Sequence, residues 1–352
     1  MEFSNRKLSR TDKSLLSDIV TKIYQLEHTI WLGLLLCLNS LLNIFTILPL
    51  NTIQNPKFSN TFRCLLILTV SVLLSYFYPA SRLYHDLKEQ DFVKLSALYN
   101  MVGIADQLLM AYGKFAIKTL FASSWKMGTK ITNFLVTLIY LFLHTLHQNI
   151  ALTVFEVAIH SSTSTLVLVL VTSAFVEVKI TVFKKTDHRA LYQIVCNDFI
   201  DRLQLFTYLL TILIKAMIVS RSNIYHIMTG ILLVSIDSIM IDWIKHYFIL
   251  HFNKISPEVY EEFRKKNMRE NFLLIQNENY HIDYEEMVPN CLDACSSVAL
   301  AYRYTALPHA CMLLRVFGGD IYQTLSCLEI GLAMGGLYLV KCIVTSIIQL
   351  LI

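Results

Sequence analysis

The sequence predicts an all-α fold: a polytopic transmembrane helical bundle of about six to eight spans with cytosolic amphipathic interfacial helices. Three observations predict it. Of 352 residues, 55% are hydrophobic and only 16% charged, against about a quarter charged in soluble domains. Long uncharged runs recur at 29–56, 64–81, 131–155, 161–176, 203–214 and 222–236, several near the ~20 residues that cross a hydrocarbon core of ~30 Å. Finally, Lys and Arg alternate between the connections, as the positive-inside rule requires.

The elements follow in order. Residues 1–28 carry Arg6, Lys7, Arg10, Lys13 and Lys22 and no apolar signal core, so they read as a cytosolic N-terminal segment. Residues 29–352 form one membrane domain. Its spans are Trp31–Leu50, Cys64–Ala80, Ile131–Phe155, Ser161–Phe183, Leu203–Ser220 and Ile224–Leu250, with Leu328–Ile352 as a seventh around Lys341. The connections 81–130, 184–202 and 251–309 hold seven, four and six Lys/Arg, whereas 51–63, 156–160 and 221–223 hold two, none and one. That count puts the N-terminus and the first three connections in the cytosol and 51–63 in the lumen.

Within 91–123 a narrow polar stripe and a wide apolar face suit a helix lying in the headgroup region or packed on the bundle. In 255–270, Ser256 caps and Pro257 starts a helix whose first turns are acidic and last turns basic. Residues 304–319 are apolar but interrupted by Pro308 and Arg315. They are too short to cross, which predicts a re-entrant or interfacial segment.

The stretch FVEVKITVFKK (175–185) alternates like a strand. An open strand in hydrocarbon leaves its backbone groups unpaired, so the stretch reads as the helical exit of the fourth span. Glu177 and Lys179 then sit at the headgroups, with Lys184 and Lys185 as anchors on anionic lipid. There a hydrated Glu177 needs no partner.

His144 and His147 share a face. Glu156 lies nine residues beyond His147, ~13 Å along a helix, so helix-packing hydrogen bonds outweigh a metal site. Asp237, Asp242, Lys245 and His246 form the densest polar set within a span, where ionisable groups mark ion or proton paths. Asp242 reads as an i,i+3 or i,i+4 pair with Lys245 or His246 near the exit, and Lys215 as a snorkelling lysine. The eight cysteines form no CxxC pair and read as reduced packing residues. No phosphate loop, nucleophile elbow or zinc signature occurs, so no enzyme activity, cofactor or metal is expected. The juxtamembrane basic residues point to anionic headgroups and not to nucleic acid.

Several stretches together carry a resemblance: LLCLNSLLNIFTILPL (35–50), LYNMVGIADQLLMAYGKFAI (98–117), LIYLFLHTL (138–146), SAFVEVKITVFKK (173–185), ALYQIVCNDFIDRLQLFTYLL (190–210), DWIKHYFILHFNKISPEVYEEF (242–263) and LPHACMLLRVF (307–317). In that order they resemble the transmembrane anterior posterior transformation protein family of eukaryotic endomembranes. Where the family usually has Glu-Val-Ala-Asp-Arg, this chain has Gly103, Ile104, Ala105, Asp106 and Gln107, losing an acid and a base while Asp106 keeps the second acid; Arg315 lies in the family's late Pro–Leu–Arg segment. The resemblance implies a non-enzymatic protein of the endoplasmic reticulum or related membranes, linked to ciliary assembly, trafficking and protein homeostasis, with other membrane proteins as partners. The expectation is a scaffold or adaptor. The alternative is a transporter or channel using Asp237 with His144 and His147.

Overall fold

A computed structural model describes residues 2–54, 58–121, 127–161, 171, 175–179, 181–182, 184–217, 224–267, 304–318 and 327–351. The described residues are helices and short connections with no strand. Among the described residues, five helices are long and apolar enough to cross a membrane: Val20–Gln54, Asn60–Phe77, Ile131–His160, Ile224–Asn253 and Ala333–Leu351.

Helix α1 runs Glu2–Gln54, far beyond the predicted span, because 2–48 contain neither Pro nor any Gly but Gly33 to break it. Helix α2, Phe58–Phe77, stops before Pro79, whose ring disfavours helical backbone at the residue ahead of it. Pro79 instead caps α3, Ala80–Lys88, with φ −56° and ψ 135°. Leu87 of α3 packs on Val154 and Val157 of α5, Met127–His160.

Helix α4, Phe92–Phe121, lies antiparallel along α5. The Tyr99 and Phe155 ring centroids are 5.1 Å apart, Asp106 meets His144, and Thr137 Oγ1 donates to the Ala116 carbonyl at 3.3 Å. Asn133 Nδ2 donates to the Thr119 carbonyl at 3.5 Å. Gly113 permits the approach, since a Cβ there would strike the Tyr140 ring. Met101, Ile104, Leu108 and Phe115 remain exposed on the other side of α4, an apolar face suited to lipid. Of the two placements open to 91–123, the structure takes packing on the bundle.

Residues 175–179 and 181–182 are helical, in keeping with a helical membrane exit; the rest of 162–174 lies outside the described residues. Helix α6, His188–Lys215, begins well before the predicted Leu203, with Asp187 accepting from the Ala190 amide at its N-cap. Segment 184–202 is therefore largely helix, not loop. Helix α7, Ile224–Asn253, closes where Lys254 turns left-handed at φ 54° and the Ile255 amide donates to the Leu250 carbonyl at 3.1 Å, a Schellman closure. Helix α8 (259–267) follows. Ser256 stands before it as predicted, its carbonyl accepting from the Val259 amide.

Helix α9, Ala306–Val316, is about 16 Å long and its side chains are mostly buried. It packs against α1, α2 and α5, which places it in the interior rather than at an interface. Helix α10, Cys327–Leu351, docks on α1 through Val344 and Ile348. Close contact recurs between α1 and α6, where a Cβ on Gly33 would strike the Phe199 ring.

These pairings correct the predicted topology. The Phe62 and Phe134 rings lie 4.6 Å apart, tilted at 53°, so α2 starts beside the start of α5. Helix α6 runs parallel to α5, because Tyr208 approaches Phe155 and Lys215 meets Glu156. The connection 51–63 and the start of α6 thus lie at one end of the bundle, not at opposite ends. The count fails because α4 runs the length of α5 inside what reads as one basic loop, so 81–130 does not stay at one end of the bundle. Without that alternation, the Lys/Arg count no longer assigns the N-terminus to the cytosol.

Candidate functional site

The centre of the bundle holds two hydrogen-bonded polar networks facing one cavity. The larger is built around Lys245 of α7, whose side chain is 1% exposed. Its ammonium donates to Glu177 Oε1 at 2.5 Å, Asp198 Oδ1 at 2.6 Å and Asp242 Oδ1 at 3.0 Å. An ammonium has three donors and no acceptor, so three carboxylates from three segments complete it. Oxygens of these carboxylates lie within 4.8 Å of one another, a spacing a metal ion would accept, but Lys245 supplies the cation at their centre.

The network extends on both sides. His246 Nε2 contacts Asp198 Oδ2 at 2.5 Å and its Nδ1 contacts the Tyr260 hydroxyl at 2.9 Å. Arg202 of α6 donates from Nε to Asp242 at 2.7 Å and from both terminal nitrogens to Glu27 of α1 at 2.8 Å. Trp243 Nε1 donates to Glu27 at 2.6 Å. This bidentate geometry is the strong form of a guanidinium–carboxylate contact. One continuous set of ion pairs therefore joins α1, the 175–182 helix, α6, α7 and, through Tyr260, α8.

The second network centres on Asp106 of α4. Its Oδ1 faces His144 Nε2 at 3.1 Å and His147 Nε2 at 3.5 Å, and its Oδ2 accepts from Gln204 at 2.9 Å. His144 Nδ1 contacts the Tyr140 hydroxyl at 2.8 Å, which contacts Thr305 at 3.0 Å. Gln148 reaches His309 of α9 at 3.0 Å. The two histidines thus bond across helices α4 and α5.

A cavity of about 300 Å³ lies between the networks, walled by α4, α5, the 175–182 helix, α6 and α7. Asp106, His147, Glu177, Asp198, Asp242 and Lys245 reach it from the networks, and Asp201 and Asp237 line it as well. Gly103 and Gln107 are part of its wall.

Of the residues singled out from sequence, Asp106, Glu177, Asp242, Lys245 and His246 converge here, and Asp237 faces the cavity. Lys179, Lys184 and Lys185 are exposed and away from it. Arg315 is buried elsewhere, donating to Asn149 Oδ1 at 2.5 Å and to the Tyr78 carbonyl. Three readings are corrected. Glu177 is not a hydrated, partnerless charge, because it completes the Lys245 cage. Asp242 and Lys245 form more than a local pair, since Arg202 and Asp198 reach them across 40 and 47 residues. Lys215 does not snorkel away: both oxygens of Glu156 accept from it at 2.9 and 3.0 Å.

A family profile described as a eukaryotic membrane protein family matches residues 53–352. The mouse transmembrane anterior posterior transformation protein 1 is 27% identical over 326 residues, covering 84% of this chain and 56% of the relative; its human homologue gives the same figures. The Drosophila melanogaster protein TAPT1 homolog is 33% identical over 201 residues, covering 54% of this chain and 30% of the relative. The chain spans about half the length of the first two relatives. No solved structure matches. With its profile match, its ordered similarity and its all-helical bundle, the chain belongs to the transmembrane anterior posterior transformation family of eukaryotic membrane proteins.

Proposed function

We propose that this integral membrane protein is a non-enzymatic scaffold or adaptor of the endoplasmic reticulum or a related endomembrane, presenting a fixed set of helices to other membrane proteins and to anionic headgroups. The observation that carries the reading is the Lys245–Arg202 network. It ties together segments from residue 27 to residue 260, with each of its four carboxylates held by Lys245 or Arg202, and that closure suits a fixed body better than a moving one. The family's ciliary, trafficking and protein-homeostasis links are the setting in which such a body would act.

A second reading is favoured by one observation: Asp237 lines the same cavity as Asp106 and His147, an arrangement open to ion or proton passage. The two readings separate in proteoliposomes. The scaffold reading expects ion and proton flux no higher than in protein-free vesicles, and full rescue by Asp237→Asn of cells lacking the native copy. Flux well above background that Asp237→Asn abolishes would overturn it.

A further inference from the structure

We propose that the central cavity is a binding site for a protonated amine carried on a single alkyl chain. Carboxyl groups and aromatic rings line the same cavity. Asp201 of α6 and Asp237 of α7 face the void, and among the described residues neither has an ion pair or hydrogen bond. Their neighbours Asp198 and Asp242 are already bonded to Lys245 and Arg202, so Asp201 and Asp237 are the two carboxyl groups on the cavity surface left for a cation entering it to pair with.

Tyr99, Phe155 and Tyr208 line the cavity as well, Tyr208 lying two turns beyond Asp201 on the same face of α6. Aromatic faces attract an organic cation as well as an alkyl chain. A volume of about 300 Å³ is far larger than a bare ion fills and falls at the lower end of small-ligand pockets. The protein also shows how its carboxylates take an ammonium, since Lys245 is held by three of them at 2.5–3.0 Å. At Gly103 a Cβ would meet nothing within 4 Å, so that part of the wall is open space that a side chain would fill. The site requires neither flux nor a scaffold role, and a binding result leaves the choice between those readings to the flux experiment.

The test is native mass spectrometry of the detergent-solubilised full chain titrated with dodecylamine, and with dodecanol as the chain-matched neutral control. The expected result is a saturable one-to-one adduct with the amine, at least tenfold weaker with dodecanol. Asp201→Asn combined with Asp237→Asn should weaken amine binding tenfold or more. Gly103→Leu, which leaves every carboxylate in place, should do the same by filling the void, with an unchanged melting midpoint showing that it folds. Equal binding of dodecanol, wild-type amine binding by Gly103→Leu, or complete displacement of the amine by millimolar sodium or calcium would overturn the proposal.

Discussion

Replacing Lys245 with Met is expected to destabilise the protein by about 3–5 kcal/mol, the usual cost of removing one partner from a buried ion pair. The methionine has nearly the same volume, so packing changes little. What is lost is the cation common to Glu177, Asp198 and Asp242, leaving carboxylates crowded in the bundle interior. Steady-state abundance should fall sharply, and the thermal midpoint of the purified chain should fall with it. Lys245→Arg, which keeps the charge, should lose less. Adding Asp198→Asn to Lys245→Met should recover part of the loss by removing one orphaned acid, a non-additivity expected of contacting residues. A Lys245→Met protein with wild-type abundance and midpoint would show that the cage contributes nothing to stability.

The second large effect concerns sidedness and is all-or-none. In a cysteine-free background, single cysteines at the exposed positions 54 and 185 should react with a membrane-impermeant maleimide under the same condition, either both before or both after permeabilisation. A cysteine at residue 90 should react under the opposite one. The expectation follows from the contact of Phe62 with Phe134 and the parallel course of α5 and α6, in which Gln204 and His147 meet at Asp106 and Lys215 meets Glu156 further along. Opposite labelling of 54 and 185 would restore the basic-residue alternation and contradict the course of α4 along the bundle.

The two helices that upset the topology also show where sequence reading ends. Helices α1, α2, α5, α7 and α10 are legible because their apolar runs are nearly uninterrupted. Helix α4 carries Lys94, Asp106, Lys114 and Lys118, and α6 begins with His188, Arg189, Asp198, Asp201 and Arg202. A hydropathy window counts such residues as solvated. In the fold, Asp106, Asp198 and Arg202 face inward and bond to other helices, so their polarity no longer reports exposure. The wide apolar face of α4 is visible in the sequence; its depth is not.

The site was half legible for the same reason. Asp242, Lys245 and His246 stand out because they interrupt an apolar span. Asp198 and Arg202, four residues apart and thus on one helix face, lie in a segment read as cytosolic loop. Glu27 lies 175 positions from its partner Arg202, with no local pattern to suggest the contact. Lys215 and Glu156 were each visible as charges near a helix end, but only the fold shows α5 and α6 to be parallel neighbours. Asp237 stands out for the opposite reason: it has no ion pair among the described residues and faces a cavity that periodicity does not reveal.

The central claim is that buried ion pairs hold the long N-terminal helix to α6 and α7 as one body, and the contact between Glu27 and Arg202 is its most direct test. The measurement is a double-mutant cycle on the stability of the full chain in detergent, with Glu27→Gln, Arg202→Gln and the two combined. The geometry, with two 2.8 Å contacts between side chains 21% and 10% exposed, predicts a favourable coupling of about 1–3 kcal/mol. Effects that simply add, to within about 0.3–0.5 kcal/mol, would mean that α1 is not held by this contact and would contradict the account of a locked bundle.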